Sequence, residues 1–103
     1  MGVNLSKKFY QLCDNDIECR IVYFCPGCRC SHWLRIRGSH PVWSVTGLDT
    51  DTPTVSPSIL VNQHDVKRRC HSFIRNGKIE FLVDCYHELA GQTVDLPDFD
   101  SSE

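Results

Sequence analysis

No run of apolar residues in this chain approaches the ~20 that a helix needs to cross a bilayer, which argues against a helical membrane protein. The first residues, MGVNLSKKFY, lack the apolar stretch and small-residue cleavage site of a secretory leader, so a reducing compartment is expected. They match the Met-Gly-x-x-x-Ser myristoylation pattern, which is too short to carry an assignment. Neither sign of charge is in excess: 11 Lys and Arg stand against 13 Asp and Glu over 103 residues. Four of those acids fall in residues 95–103, leaving nine against eleven and a net charge of +2 on the rest. That is far from the positive excess of a dedicated nucleic-acid binder. Repeats and low-complexity tracts are absent too. A single domain over 1–103 is expected, with a variable N-terminal segment over 1–20, a β core over 21–97 and an acidic tail over 98–103.

Cysteine is abundant instead, seven residues in all, and the odd number leaves one thiol over after any set of intramolecular disulfides. In a reducing compartment such a chain uses thiols for metal binding or reactivity. Cys13 and Cys19, six residues apart, are therefore expected to be free thiols, and Cys30 a further free or buried one. The informative stretch is Cys25-Pro26-Gly27-Cys28. A Cys-x2-Cys turn aims two sulfurs at one point. A redox dithiol of the thioredoxin type would sit at a helix N-terminus in a βαβ context, whereas Cys28 is followed by an alternating strand.

The elements read mainly as β. Phe9, Cys13 and Ile17 recur at i, i+4 and i+8, which predicts a short N-terminal helix within Val3–Glu18. Residues 20–24 and 32–37 are strands on either side of the cysteine turn, and 42–45 is another. Pro53 and Pro57 remove backbone donors and confine any strand there to a sheet edge until Ser58–Val61. Residues 62–69 read as polar and exposed, and 93–96 as a last strand after a helical turn over 86–90. The strongest local signal is Asn76-Gly77 between two alternating runs, a type I′ hairpin turn. It pairs Arg75 with Lys78, Phe73 with Glu80, His71 with Leu82 and Cys70 with Val83. One face then carries Cys70, Ser72, Ile74, Ile79, Phe81, Val83 and Cys85; the other carries His71, Phe73, Arg75, Lys78, Glu80, Leu82 and Asp84.

Cys70 and Cys85 thus share the core face at the open end of the hairpin, and with Cys25 and Cys28 they make four thiolates for a structural Zn²⁺. The expected fold is a small antiparallel β domain stapled by zinc, with zinc-ribbon-like hairpins. His87, two residues after Cys85, is an alternate ligand or a support for the site, and His71 a second alternate. His71 also lies near Asp84, a pair able to orient an imidazole for acid–base work. If the chain is an enzyme, the candidates are His71, His87 and Asp84. A closed four-thiolate shell has no position for a catalytic water, which favours a structural metal. Trp33, Trp43, Arg35 and Arg37, with Lys67-Arg68-Arg69, could form an aromatic and basic surface for single-stranded nucleic acid.

Cys25-Pro26-Gly27-Cys28, then SPSILV over 56–61, then the run from Cys70 through Asp84-Cys85-Tyr86-His87 to Pro97 resemble a family of short phage and prophage zinc-binding proteins. That family often carries the label ammonia monooxygenase. The likeness covers residues 22–97, is most specific over 70–97, and implies Cys25, Cys28, Cys70, His71, Cys85 and His87 as motif positions. It implies an origin in a mobile element and the cytoplasm of a bacterial host. The inherited enzyme name does not fit, because copper oxidation chemistry calls for open His-rich sites and a membrane-embedded fold. The expected function is an accessory protein-interaction module that binds a host protein, such as a defence component, stoichiometrically. Alternatives are a nucleic-acid-binding zinc module and a zinc- or His-dependent hydrolase.

Overall fold

A computed structural model describes residues 2–3, 8–14, 17–39, 41–62 and 64–98. Parts of the myristoylation-like start and of the N-terminal segment, His40 in the turn before Pro41, and the tail beyond Asp98 lie outside them. The described residues are all β, with no helix, in two antiparallel sheets. The first is the meander β1 (Gly2–Val3), β2 (Tyr10–Cys13), β3 (Cys19–Cys25) and β4 (Cys30–Arg37). The second continues as β5 (Ser44–Thr46), β6 (Thr54–Val61), β7 (Cys70–Arg75), β8 (Lys78–Phe81) and β9 (Thr93–Asp95). Strand alternation supplies one shared core: Phe9, Ile21, Tyr23 and Leu34 from the first sheet side meet Val55, Ile59, Ile74, Ile79, Phe81 and Leu96 from the second.

Several expectations are corrected. The N-terminal helix is absent among the described residues. Tyr10–Cys13 instead pairs with β3, Phe9 is fully buried edge-on to Tyr23, and Ile17 is 72% exposed. The open edge of β3 outweighs a weak helical spacing. Cys13 and Cys19 are directly opposed in that register and form a disulfide, not two free thiols. The third correction concerns β6, which is an interior strand between β5 and β7. Val55 pairs with Ile74 and Ile59 with Ser72, so four steps along β6 match two along β7. The residues between, Ser56-Pro57-Ser58, leave the ladder with β7, where no proline donor is then required, while Ser56 still faces Ser44 of β5; the Ser56–Pro57 bond is cis.

The hairpin forms with Arg75 opposite Lys78 and Phe73 opposite Glu80, and Asn76 and Gly77 both take positive φ, 52° and 79°. Leu82 still donates its N–H to the His71 carbonyl at 2.9 Å. Beyond it the expected face assignment fails. Val83 is 85% exposed, and Cys70 pairs with Val61 of β6 instead. The chain turns there, with the Cys85 N–H returning to the Leu82 carbonyl at 3.2 Å. Residues 86–90 make turns and not a helix, with Ala90 N–H on the His87 carbonyl.

Candidate functional site

Two groups of side chains meet where β3, β7 and the turn after β8 converge. The first is built on sulfur. Cys25 ends β3 and is fully buried, Cys28 follows in the tight turn, and Cys70 opens β7. The ligand atoms of Cys25, Cys28, Cys70 and His32 all lie within 4.8 Å of one another, and Cys25 Sγ is 3.9 Å from Cys70 Sγ. His32 stands on β4 directly across from Tyr23. An overlapping trio of Cys70, Cys85 and His87 satisfies the same distance. These donors could hold a metal ion, and their sulfur-rich character suits a soft or borderline cation. Cys30 is exposed and belongs to neither group.

The thiols titrate as a crowded set. The hydrogen bond from Cys70 holds Cys25 down at about 4, despite its burial, with help from His32. Burial and the Cys25 charge push Cys28 up to about 11, and the bond to Cys25 raises Cys70 strongly. Tyr86 is raised to about 12, chiefly by donating its hydroxyl to Cys28.

His87 packs edge-on to Phe81 and Tyr86 and lies against Gly27, where a Cβ would collide with its imidazole. Its Nδ1 accepts the Leu89 N–H at 3.3 Å, so Nε2 carries the proton in the neutral ring. Burial lowers the pKa of this ring and favours the neutral form. The Nε2–H then donates to Cys70 Sγ, 3.3 Å away.

The second group is built on oxygen and nitrogen. His71 pairs with Leu60 of β6, and Ser58 is two residues further along on the bulge. His71 Nε2 is 3.3 Å from Ser58 Oγ, and His71 Nδ1 is 3.4 Å from Asp84 Oδ2. A carboxylate accepts and does not donate, so the tautomer that suits Asp84 has its proton on Nδ1 and presents the Nε2 lone pair to the serine hydroxyl. The turn after β8 aims Asp84 at the ring, while the Trp43 indole N–H holds the Ser58 carbonyl at 3.2 Å. The imidazole is 23% exposed and the carboxylate 40%, and Ser58 is itself half-buried. A hydroxyl, an imidazole and a carboxylate in this order have the connectivity of a nucleophile, a general base and its orienting acid.

This geometry agrees with a family-level match. Residues 3–82, well over half the chain, match the family model described as bacterial ubiquitination-like system serine protease (BubE). The chain belongs to the BubE family. No curated protein and no solved structure matches it. In this BubE-family chain the matched segment includes Ser58 and His71 and stops just short of Asp84.

Sequence reasoning named His71, Asp84 and the cysteines but missed Ser58 and His32. His32 had a readable signal, since Cys28-x3-His32 extends the Cys-x2-Cys turn. Ser58 had none, because its approach to His71 depends on β6–β7 pairing with a bulge. Trp33 is 53% exposed between the guanidinium groups of Arg20 and Arg35. Trp43 is partly buried against the core, with its backbone N–H on the Arg35 carbonyl at 2.8 Å.

Proposed function

We propose that the chain is a serine hydrolase that cleaves an acyl bond, with Ser58 as nucleophile, His71 as general base and Asp84 as the group orienting His71. The observation that carries this reading is the pair of contacts on His71, one to Ser58 and one to Asp84. His71 Nε2 takes the Ser58 hydroxyl proton as Oγ attacks the acyl carbon. It returns that proton to the leaving amine when the acyl bond breaks. Water then repeats the cycle on the acyl-enzyme, with His71 again as base. Asp84 stabilises the imidazolium that forms between the two proton transfers.

The family's printed description names a serine protease of a ubiquitination-like system. It supports a peptide or isopeptide bond at a ubiquitin-like protein of a bacterial cell as the substrate. The thiols of Cys25, Cys28 and Cys70 supply three ligands to a zinc ion, and a fourth donor comes from Cys85, His32 or His87. Zinc suits a thiolate-rich tetrahedral site, and in a closed shell it contributes structure and not a catalytic water. It would hold β3 and β7 together beside the triad, since Cys70 precedes His71 and Cys85 follows Asp84 in the chain.

Reaction with a fluorophosphonate probe, followed by peptide mapping, tests the assignment. One adduct per chain on Ser58, abolished by Ser58→Ala, is the expected result. No adduct, or one elsewhere that survives the substitution, overturns it. A stoichiometric interaction module that inhibits a host protein needs no reactive serine, so the same measurement separates that reading from this one.

A further inference from the structure

We infer that His32, not Cys85, completes the metal shell, and that Cys85 is a positioning residue that clamps the peptide of His71. The second half rests on the hydrolase reading above; the first does not.

Three observations converge on His32. Its Nε2 is buried with no hydrogen-bond partner, the sole such side-chain nitrogen or oxygen among the described residues. A buried ring nitrogen left unsatisfied is costly unless something not yet present binds it. A ring nitrogen of His32 also belongs to the one set of four donors, among the described residues, that are mutually within 4.8 Å, with Cys25, Cys28 and Cys70. The competing donors are engaged elsewhere. His87 accepts the Leu89 N–H and turns its own proton toward Cys70, which makes it a hydrogen-bond donor to a ligand.

Cys85 is held in both directions by one residue. Its Sγ accepts the His71 N–H at 3.2 Å and its S–H donates to the His71 carbonyl at 3.1 Å. Both bonds turn Cys85 Sγ onto the His71 peptide, and Cys85 is absent from the set of four donors around Cys25. That carbonyl also receives the Leu82 N–H, so two donors from the turn after β8 fix the peptide of the histidine. The same turn carries Asp84. Backbone and ring of His71 are therefore set by neighbouring residues of one short segment, and a shift of the peptide would move Nε2 relative to Ser58.

Cobalt(II) loading of the full chain decides the ligand set, because the sulfur-to-metal charge-transfer intensity counts thiolates. Wild type and Cys85→Ser should give the same three-thiolate spectrum at one metal per chain, while His32→Ala should lose the tetrahedral spectrum. A weaker charge-transfer band in Cys85→Ser makes Cys85 a ligand and overturns the assignment; so does an unchanged spectrum in His32→Ala. For positioning, fluorophosphonate labelling of Ser58 in the zinc-loaded protein should slow about tenfold or more in Cys85→Ala. Cys85→Ser, which keeps a hydroxyl donor and acceptor, should recover part of that loss with zinc content unchanged. Equal labelling rates in wild type and Cys85→Ala defeat the positioning role. Should Cys85→Ala not fold, Cys85→Ser carries the test: a labelling rate reduced at intact metal content supports it, and an unchanged spectrum with an unchanged rate defeats it. Failure of the wild type to label would sink the hydrolase reading and leave the cobalt result standing.

Discussion

His71 has two ring nitrogens and the structure gives each a different partner, Ser58 on one side and Asp84 on the other, the arrangement on which its proposed role as a base rests. The Asp84 carboxylate, 3.4 Å from Nδ1, favours the tautomer with its proton there. Asp84→Asn keeps the size but allows the opposite tautomer, with a proton on the nitrogen that should face Ser58. Hydrolysis should fall by roughly 10³ to 10⁴ while bound zinc stays constant; steady-state rates beside elemental analysis check both. The sulfurs give a second prediction at this scale. Cys25 sits at about 4 and is already a thiolate at neutral pH, whereas Cys28 at about 11 and the strongly raised Cys70 are thiols. Metal binding must displace their protons, so about two protons should be released per ion and affinity should rise with pH. Titrations of metal-free protein in buffers of different ionisation enthalpy count them; release of none would mean that the thiols are not the ligands.

Among the elements, the β7–β8 hairpin and the bulge in β6 divide what was legible from what was not. Asn76-Gly77 needs only its own neighbours to form the turn, so register and core face follow from local chemistry as far as Phe81. Gly77 has φ of 79°, and a Cβ there would meet the Asp51 carbonyl. Gly77→Ala should cost about 1–3 kcal/mol, read as a lowered denaturant midpoint with unchanged slope. The end of the hairpin was misread because the turn after Phe81 answers to hydrogen bonds on His71 and on Arg69, a partner distant in sequence. The N-terminal segment was misread for a similar reason: its apolar spacing fits a helix, but its backbone completes the edge of β3. Ser58 stayed hidden because a two-residue excess on β6 cannot be seen until β6 and β7 are paired. The cysteine cluster was the more readable site, since a Cys-x2-Cys turn announces itself and a serine does not.

At the scale of the molecule the candidate metal donors bridge what the backbone keeps apart. Cys25, Cys28 and His32 belong to the first sheet and its β3–β4 turn, while Cys70 opens β7 in the second. One hydrophobic cluster also joins the sheets, and a domain of this size nets only about 5–15 kcal/mol of stability. Zinc bound to such donors contributes on the order of 10 kcal/mol, comparable to that whole margin. The triad adjoins the same junction through Cys70-His71 and Asp84-Cys85. Removing zinc with a strong chelator should therefore abolish the cooperative thermal transition and the labelling of Ser58 together, with both returning when stoichiometric zinc is restored. The Cys13–Cys19 disulfide spans only the β2–β3 connection, so it should not rescue the chelated protein. If the metal-free chain instead unfolds cooperatively and labels at the original rate, the shared core alone holds the sheets in register, and the cysteine cluster has no part in setting the distance between His71 and Ser58.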